Sequence, residues 1–513
     1  MPENATAHLL KPSPLQQWLD DLPMTDFVRS AAMMERALQH SYHETLKPGM
    51  RLNLTALYWR PYRMLLDTLV GSESQPTLRS VDVLQARVEA LRRVALELAR
   101  GTRLGITEAA PAKALFGNPI TAPEATVWAA RLTSHALMLN FQGYGPPLSP
   151  AWRELNDLFL YAERGGSVDE RHADPEDPGL GADSVRGIYM ETAAVAVTDP
   201  LHLPPGAVWE IYAQIRDWVD EIRIGPWHAA RNPAGLFVVD LLGSSPPVPY
   251  ARFDAGMARD HHRVLDCTGL QRRVQAVREQ LGTPGAAPLR LPRPQARLLL
   301  EILRRAWGLH PKRYFPRHER DGSASLAFGF NEAWQLANHG RDIVLESRTG
   351  VIVGGEEVHE PRHAPAADPW QYVDEGPGGY AVYSATRPRA GVRVGELVAI
   401  RDADSDRPWM VGAVRWLMVH DNLAHRIGVQ IVGRDVESIT LRATDGSDED
   451  MQPQRAFLVA DPSATNGFTV MTRAGLYAPG RPLELHVGGT RMRVTAATLR
   501  ESALTFDYFS CRN

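Results

Sequence analysis

The chain has 513 residues, 44% hydrophobic and 23% charged, with a net charge of −4 and a pI near 6.5. This is the composition of a globular protein of about three domains. It excludes the global basic field by which duplex nucleic-acid binders hold their target, so an anionic ligand has to be caught by a local cluster of cations. Cys267 and Cys511 stand far apart in no metal-ligand pattern, which fits a reducing compartment and argues against a disulfide framework. The start, Met-Pro-Glu-Asn-Ala-Thr-Ala-His, lacks the basic-then-apolar order of a signal peptide, and no apolar run approaches the roughly 20 residues of a membrane helix. A soluble, cytoplasmic protein is expected.

Residues 1 to 225 read as helices joined by Pro/Gly-rich turns, a stack of helical hairpins without a strict repeat. Over Val83–Arg100, Leu84, Val88, Leu91, Ala95 and Leu98 alternate at spacings of four and three, which predicts one buried helix face ending at Gly101. A second helix is predicted from Ser149 as N-cap, with Pro150 at the first helical position and Trp152, Leu155, Phe159 and Ala162 as its stripe. Further helices are expected around Pro123–Asn140 and Ala207–Ile222, and the acidic stretch Asp169–Asp183 reads as a surface loop. Trp152, Trp209 and Trp218 read as packing residues. The stretch 226–308 reads as a mixed α/β connector, with strand-like Leu236–Leu241 and a closing helix Gln295–Trp307 that ends at Gly308. Beyond it the chain becomes almost wholly β. Val392–Ile400, Trp409–Val419 and Arg426–Val432 alternate as strands, and Phe457–Val459, Gly467–Thr472, Leu483–Val487 and Met492–Ala496 suggest a second small module. The expected architecture is therefore multidomain α+β: a helical region (1–225), the connector (226–308), an antiparallel β-barrel (309–440) and a small β module (451–513), with acidic Asp445–Asp450 between the last two.

The residues that carry chemistry follow the Gln295–Trp307 helix. In Lys312-Arg313-Tyr314-Phe315-Pro316-Arg317, two guanidiniums four residues apart sit beside a third cation, and Pro311 and Pro316 forbid regular helix. An extended cationic arm of this kind suits phosphate, because arginine forms bidentate charge-assisted bonds to phosphate oxygens and stacks its flat face on bases. A strand is expected over Ser323–Phe330. Then Asp374-Glu375-Gly376-Pro377-Gly378-Gly379 has the acid and small residues of a tight turn that lets backbone approach a ligand, before strand-like Tyr380–Tyr383.

In this order the residues resemble the PilZ domain family. PilZ domains pair an Arg-x-x-x-Arg arm with an [Asp/Asn]-x-Ser-x-x-Gly turn and a barrel whose late strands often read Gly-x-Val-x-Trp and Gly-Val-x-Phe. Arg313 and Arg317 match the arm, Asp374 and Gly379 match the ends of the turn, and Gly412-Ala413-Val414-Arg415-Trp416 and Gly428-Val429-Gln430-Ile431 match the late strands. The resemblance covers about residues 310–435. It implies a cyclic di-GMP receptor rather than an enzyme, with Arg313 and Arg317 on the phosphates and a guanine, Lys312 alongside, and Asp374, Gly376 and Gly379 on the other side of the base. It implies no cofactor and no metal. Output to a protein partner through the helical half, in motility, attachment or type IV pili, is what the family suggests, and a ligand-free protein-interaction scaffold is the alternative. Gly376 stands where the family has serine, and a long insertion, Asn331–Pro369, parts the strand from the turn.

Three other patterns read as ordinary structure. His359-Glu360-Pro361-Arg362-His363 fits HExxH, but Pro361 denies it the helix that would bring both imidazoles to one zinc. Gly354-Gly355-Glu356-Glu357-Val358 resembles the turn of diguanylate cyclases, without room for such a domain and with Val358 in place of the aromatic. Asp260-His261-His262 offers adjacent imidazoles with no further ligand at metal spacing.

Overall fold

The computed structural model describes residues 7–73, 81–108, 120–173, 182–281, 293–308, 316–339, 366–389, 391–420, 423–447, 450–460, 468–503 and 505–512. The chain divides into two compact units, Met1–Lys312 and Arg313–Asn513.

The first unit is helical with a small sheet. Its axis is the helix Ala122–Gln142, opened by a capping box in which Thr121 and Glu124 each satisfy the other's backbone N–H. Residues 125–140 of this helix are buried all round, as expected of a helix enclosed by others. Among its buried polar groups, Arg131 donates to Glu191 at 2.6 Å and lies 2.6 Å from Asp183, while also reaching the Tyr212 hydroxyl. Burial and the Arg131 charge hold His135 well below the usual histidine range, so it is a neutral ring paired with Tyr62 at 3.2 Å.

The expected helices are present with shifted ends. The helix predicted to stop at Gly101 runs over Val81–Glu108 instead. Glycine serves close approach here: a Cβ at Gly101 would lie 3.1 Å from Thr55 Oγ1, and one at Gly105 would lie 2.6 Å from Leu52 Cδ2. The helix Ser149–Arg164 starts one residue earlier than predicted, with Leu148 as its cap residue and no side-chain cap. Trp152, Trp209 and Trp218 are core residues. The stretch after residue 222 forms a four-stranded sheet, Arg223–Pro226, His262–Asp266, Leu236–Asp240 and Val248–Pro249 in spatial order. Its Phe237, Val239 and Leu265 join the same core as the helices, as does Trp307, whose indole donates to Ala194 O at 3.1 Å.

The second unit holds two barrels. In the first, Ser323–Phe328, Asp368–Gly376, Gly379–Ser384, His425–Gly433, Met410–Val419 and Leu397–Asp402 pair in a ring, all antiparallel, with His318–Glu319 added at the edge of Asp368–Gly376. The strand expected over Ser323–Phe330 ends at Phe328, because Gly329 (φ 108°) turns the chain into a helix, Phe330–Ala337. Six further strands, Val436–Ala443, Gln454–Val459, Phe468–Arg473, Phe506–Arg512, Thr490–Ser502 and Pro482–Val487, close a second barrel. The Asp445–Asp450 stretch, expected between the modules, therefore lies inside this second barrel, between its first two strands. Helix Phe330–Ala337 is the wedge between the barrels. Phe330 and Trp334 pack with Leu397, Ala399, Val411 and Ala413 of one and Phe457, Met471 and Phe506 of the other. The Trp334 indole donates to Ile439 O and Ala456 O, both at 3.0 Å.

Candidate ligand-binding face

Strand alternation fixes which residues share the outer face of the first barrel. Gly376 stands opposite Gly379, and Gly379 opposite Gln430. Asp374 stands opposite Ala381, Ala381 opposite Gly428, and Gly428 opposite Trp416. Directly opposed residues project to the same side, so Asp374, Gly376, Gly379, Ala381, Gly428, Gln430 and Trp416 line one surface, three strand spacings or about 14 Å across. Its floor is small residues by necessity. A Cβ on Gly379 would fall 2.0 Å from Val429 O, and one on Gly428 would fall 1.9 Å from Trp416 Nε1. The Trp416 ring thus rests directly on Gly428.

The turn motif is a two-residue hairpin: Pro377-Gly378 joins the strands that end at Gly376 and start at Gly379. Gly378 O accepts from Ile431 N–H at 2.9 Å, tying the hairpin to the neighbouring strand. Arg317 donates to the Asp374 carboxylate. Arg426 approaches the same carboxylate at 3.9 Å and covers the Trp416 ring at 5.9 Å from its centroid. The Arg426 Nε is buried with no acceptor among the described residues, an unmet donor on this face. Arg317, Asp374, Gly376 and Gly379 are therefore brought together, whereas Arg313 and Lys312 lie outside the described residues. A Cβ on Gly376 would meet only Arg317 Cγ at 3.6 Å and Pro316 O at 3.8 Å, ordinary contacts, so a serine fits where the family carries one.

Sequence reasoning missed the roles of Trp416, Arg426 and Arg415. It also missed Arg320, which points the other way from Arg317. Arg320 donates to Glu375 at 2.8 Å and Asp402 at 2.6 Å and lies 3.9 Å over the Tyr372 ring. Burial, reinforced by the Asp402 carboxylate it donates to, pushes the Tyr372 phenol above the usual tyrosine range. Arg320 is committed to the barrel and leaves Arg317 as the described arm cation that faces the site.

The HExxH stretch (359–363) and Gly354–Val358 lie outside the described residues. For Asp260-His261-His262 the expectation is corrected: Asp240, opposite His262 across the sheet, brings a third ligand-type group, and the ligand atoms of Asp240, His261 and His262 lie within 4.8 Å of one another. The His262 Nδ1 already accepts the Arg259 N–H at 3.1 Å, which leaves the neutral ring its proton on Nε2 and takes that nitrogen out of a metal's reach. No helix among the described residues is long and apolar enough to cross a membrane.

Two domains match known families. Residues 13–229, the helical region that the sequence left without a family, match the N-terminal domain of the cyclic-di-GMP receptor FimW. Residues 354–436 match the middle PilZ domain of the same receptor; this segment holds Asp374, Gly376, Gly379 and Trp416 and begins after the arginine arm. Together the matches span more than half of the 513 residues. No curated protein matches the chain.

Proposed function

We propose how this chain, a cyclic di-GMP receptor of the FimW family with a PilZ domain, holds its ligand. Arg317 leaves Asp374 and takes a phosphate in bidentate, charge-assisted fashion, and Arg313 acts beside it. Asp374, relieved of Arg317, accepts from the N–H edge of a guanine. In the floor of the face, Gly376 and Gly379 let the flat base approach the backbone, and half-buried Trp416, seated on Gly428, offers a ring for stacking beside them. The observation that supports this reading is the convergence of Arg317, Arg426 and Asp374 over that floor. The protein acts as a binding protein rather than an enzyme, and its helical region supplies the surface for a protein partner, with motility, attachment or pilus function as the output.

Calorimetric titration of the full chain with cyclic di-GMP tests the reading. A hydrogen bond to a charged group contributes about 1.5–3 kcal/mol, so Arg317→Ala weakens binding roughly ten- to a hundredfold. Wild-type protein that gives no heat, or an Arg317→Ala affinity equal to wild type, contradicts it. A silent wild type favours the ligand-free scaffold.

A further inference from the structure

The second barrel reaches the edge of the ligand face through the ion pair of Arg415 and Glu501. Arg415 is the extra residue of a bulge in Met410–Val419, where the pairing shifts between Val414 and Trp416. A bulge sets two residues against one on the partner strand and re-aims their side chains. Here it brings Arg415 to the same side as Trp416, where its Nε donates to Gln430 Oε1 at 2.6 Å. Gln430 stands directly opposite Gly379 of the turn motif. The other end of the Arg415 guanidinium grips Glu501 in a bidentate pair, with Nη2 2.7 Å from Oε2. Glu501 lies on Thr490–Ser502 of the second barrel, beside a register shift between Leu499 and Glu501. Each partner thus stands at a register shift of its strand. Around them the barrels are fastened by Thr505, whose hydroxyl accepts from Leu397 N–H at 3.3 Å and donates to Gly395 O at 3.1 Å.

We propose that Arg415 is a further ligand cation of this site, held in reserve by Glu501, which the dinucleotide displaces. The inference rests on the receptor reading above. A dinucleotide carries two phosphates, and on the reading above Arg317 at the Asp374 edge takes one of them. Arg415 stands at the opposite edge, on the strand of Trp416. Carboxylate and phosphate present the same fork-matching geometry to a guanidinium, so one replaces the other without moving the arginine far. The pair is also open to exchange: Arg415 and Glu501 side chains remain 29% and 27% exposed, unlike a sealed core bridge. Glu501 is then a competitor that lowers affinity, and losing it on binding loosens the tie between the PilZ barrel and the barrel that follows it.

The sign of one effect separates this from a purely structural bridge. In calorimetric titrations of the full chain, Glu501→Gln frees Arg415 and tightens cyclic di-GMP binding about fivefold, the scale of one partly exposed ion pair. Arg415→Ala weakens it about tenfold, and the double variant binds like Arg415→Ala alone. Glu501→Gln affinity that is unchanged or weaker, while Arg317→Ala still loses binding, overturns the inference and leaves the receptor reading intact. Tightening by Glu501→Gln that persists in the Arg415→Ala background also overturns it, since that is long-range charge and not release of Arg415. A wild type without binding overturns both. Arg415→Lys, which keeps the charge and the fold but not the fork, falls between wild type and Arg415→Ala.

Discussion

Gly376 is the place where this chain departs from the turn of its family, and Gly376→Ser restores the missing hydroxyl. The strand backbone at Gly376 is not in the left-handed region, so an L side chain brings no conformational strain. Its Cβ would lie 3.6 Å from Arg317 Cγ and 3.8 Å from Pro316 O, contacts that need no rearrangement. The side chain would project on the face of Asp374 and Gly379. One neutral hydrogen bond contributes about 1 kcal/mol, which is about fivefold in Kd. Side-by-side calorimetry of wild type, Gly376→Ala and Gly376→Ser measures it, because alanine supplies the Cβ without the hydroxyl. Serine should bind about fivefold tighter than both others. If serine and alanine bind alike, the ligand does not lie against residue 376, and the placement of the base over this hairpin is wrong.

Other positions carry their own expectations. Gly428→Ala puts a methyl 1.9 Å from Trp416 Nε1, so the ring must leave the floor; affinity should fall roughly tenfold with circular dichroism unchanged, since stacking contributes about 1–3 kcal/mol. Arg131→Met leaves Glu191 buried without its cation, which should cost about 3–5 kcal/mol in urea unfolding. Burial, with the Glu332 charge nearby and against the pull of Arg393, pushes the Glu396 carboxyl up to about 7. The folded state therefore holds this proton where the unfolded chain has lost it, and the resulting stability is full below about pH 4 and lost as pH rises through 7. Glu396→Gln should match wild type near pH 4.5 and exceed it by about 3 kcal/mol above pH 7.5 in denaturant titrations at both pH values.

What the sequence disclosed was local, and what it withheld depends on pairing. Apolar spacing located the Val81–Glu108 helix, yet not its end, because whether Gly101 stops a helix or admits a neighbour depends on Thr55, far upstream. The Pro377-Gly378 hairpin and the cation at Arg317 were legible as short motifs. Trp416, Arg426, Gly428 and Gln430 belong to the same face only through register, and the bulge at Arg415 changes the phase of its strand midway. Period-two reading of Trp409–Val419 alone cannot place Arg415 and Trp416 on one side. The second barrel's first strand was likewise hidden, since Val436–Ala443 follows the PilZ strands with almost no break. The same nonlocality shapes the chemistry. Asp374, a motif residue, holds Arg317 from 57 residues earlier and draws on Arg426 from His425–Gly433, so part of the cationic charge on this face is already paired within the protein. On the proposed reading, cyclic di-GMP replaces the Arg317–Asp374 contact and also meets the Arg426 donor that the described residues leave unpaired. On that reading affinity reports the difference between two sets of charge-assisted hydrogen bonds, so the neighbours of the arginines count in it as well as the arginines themselves.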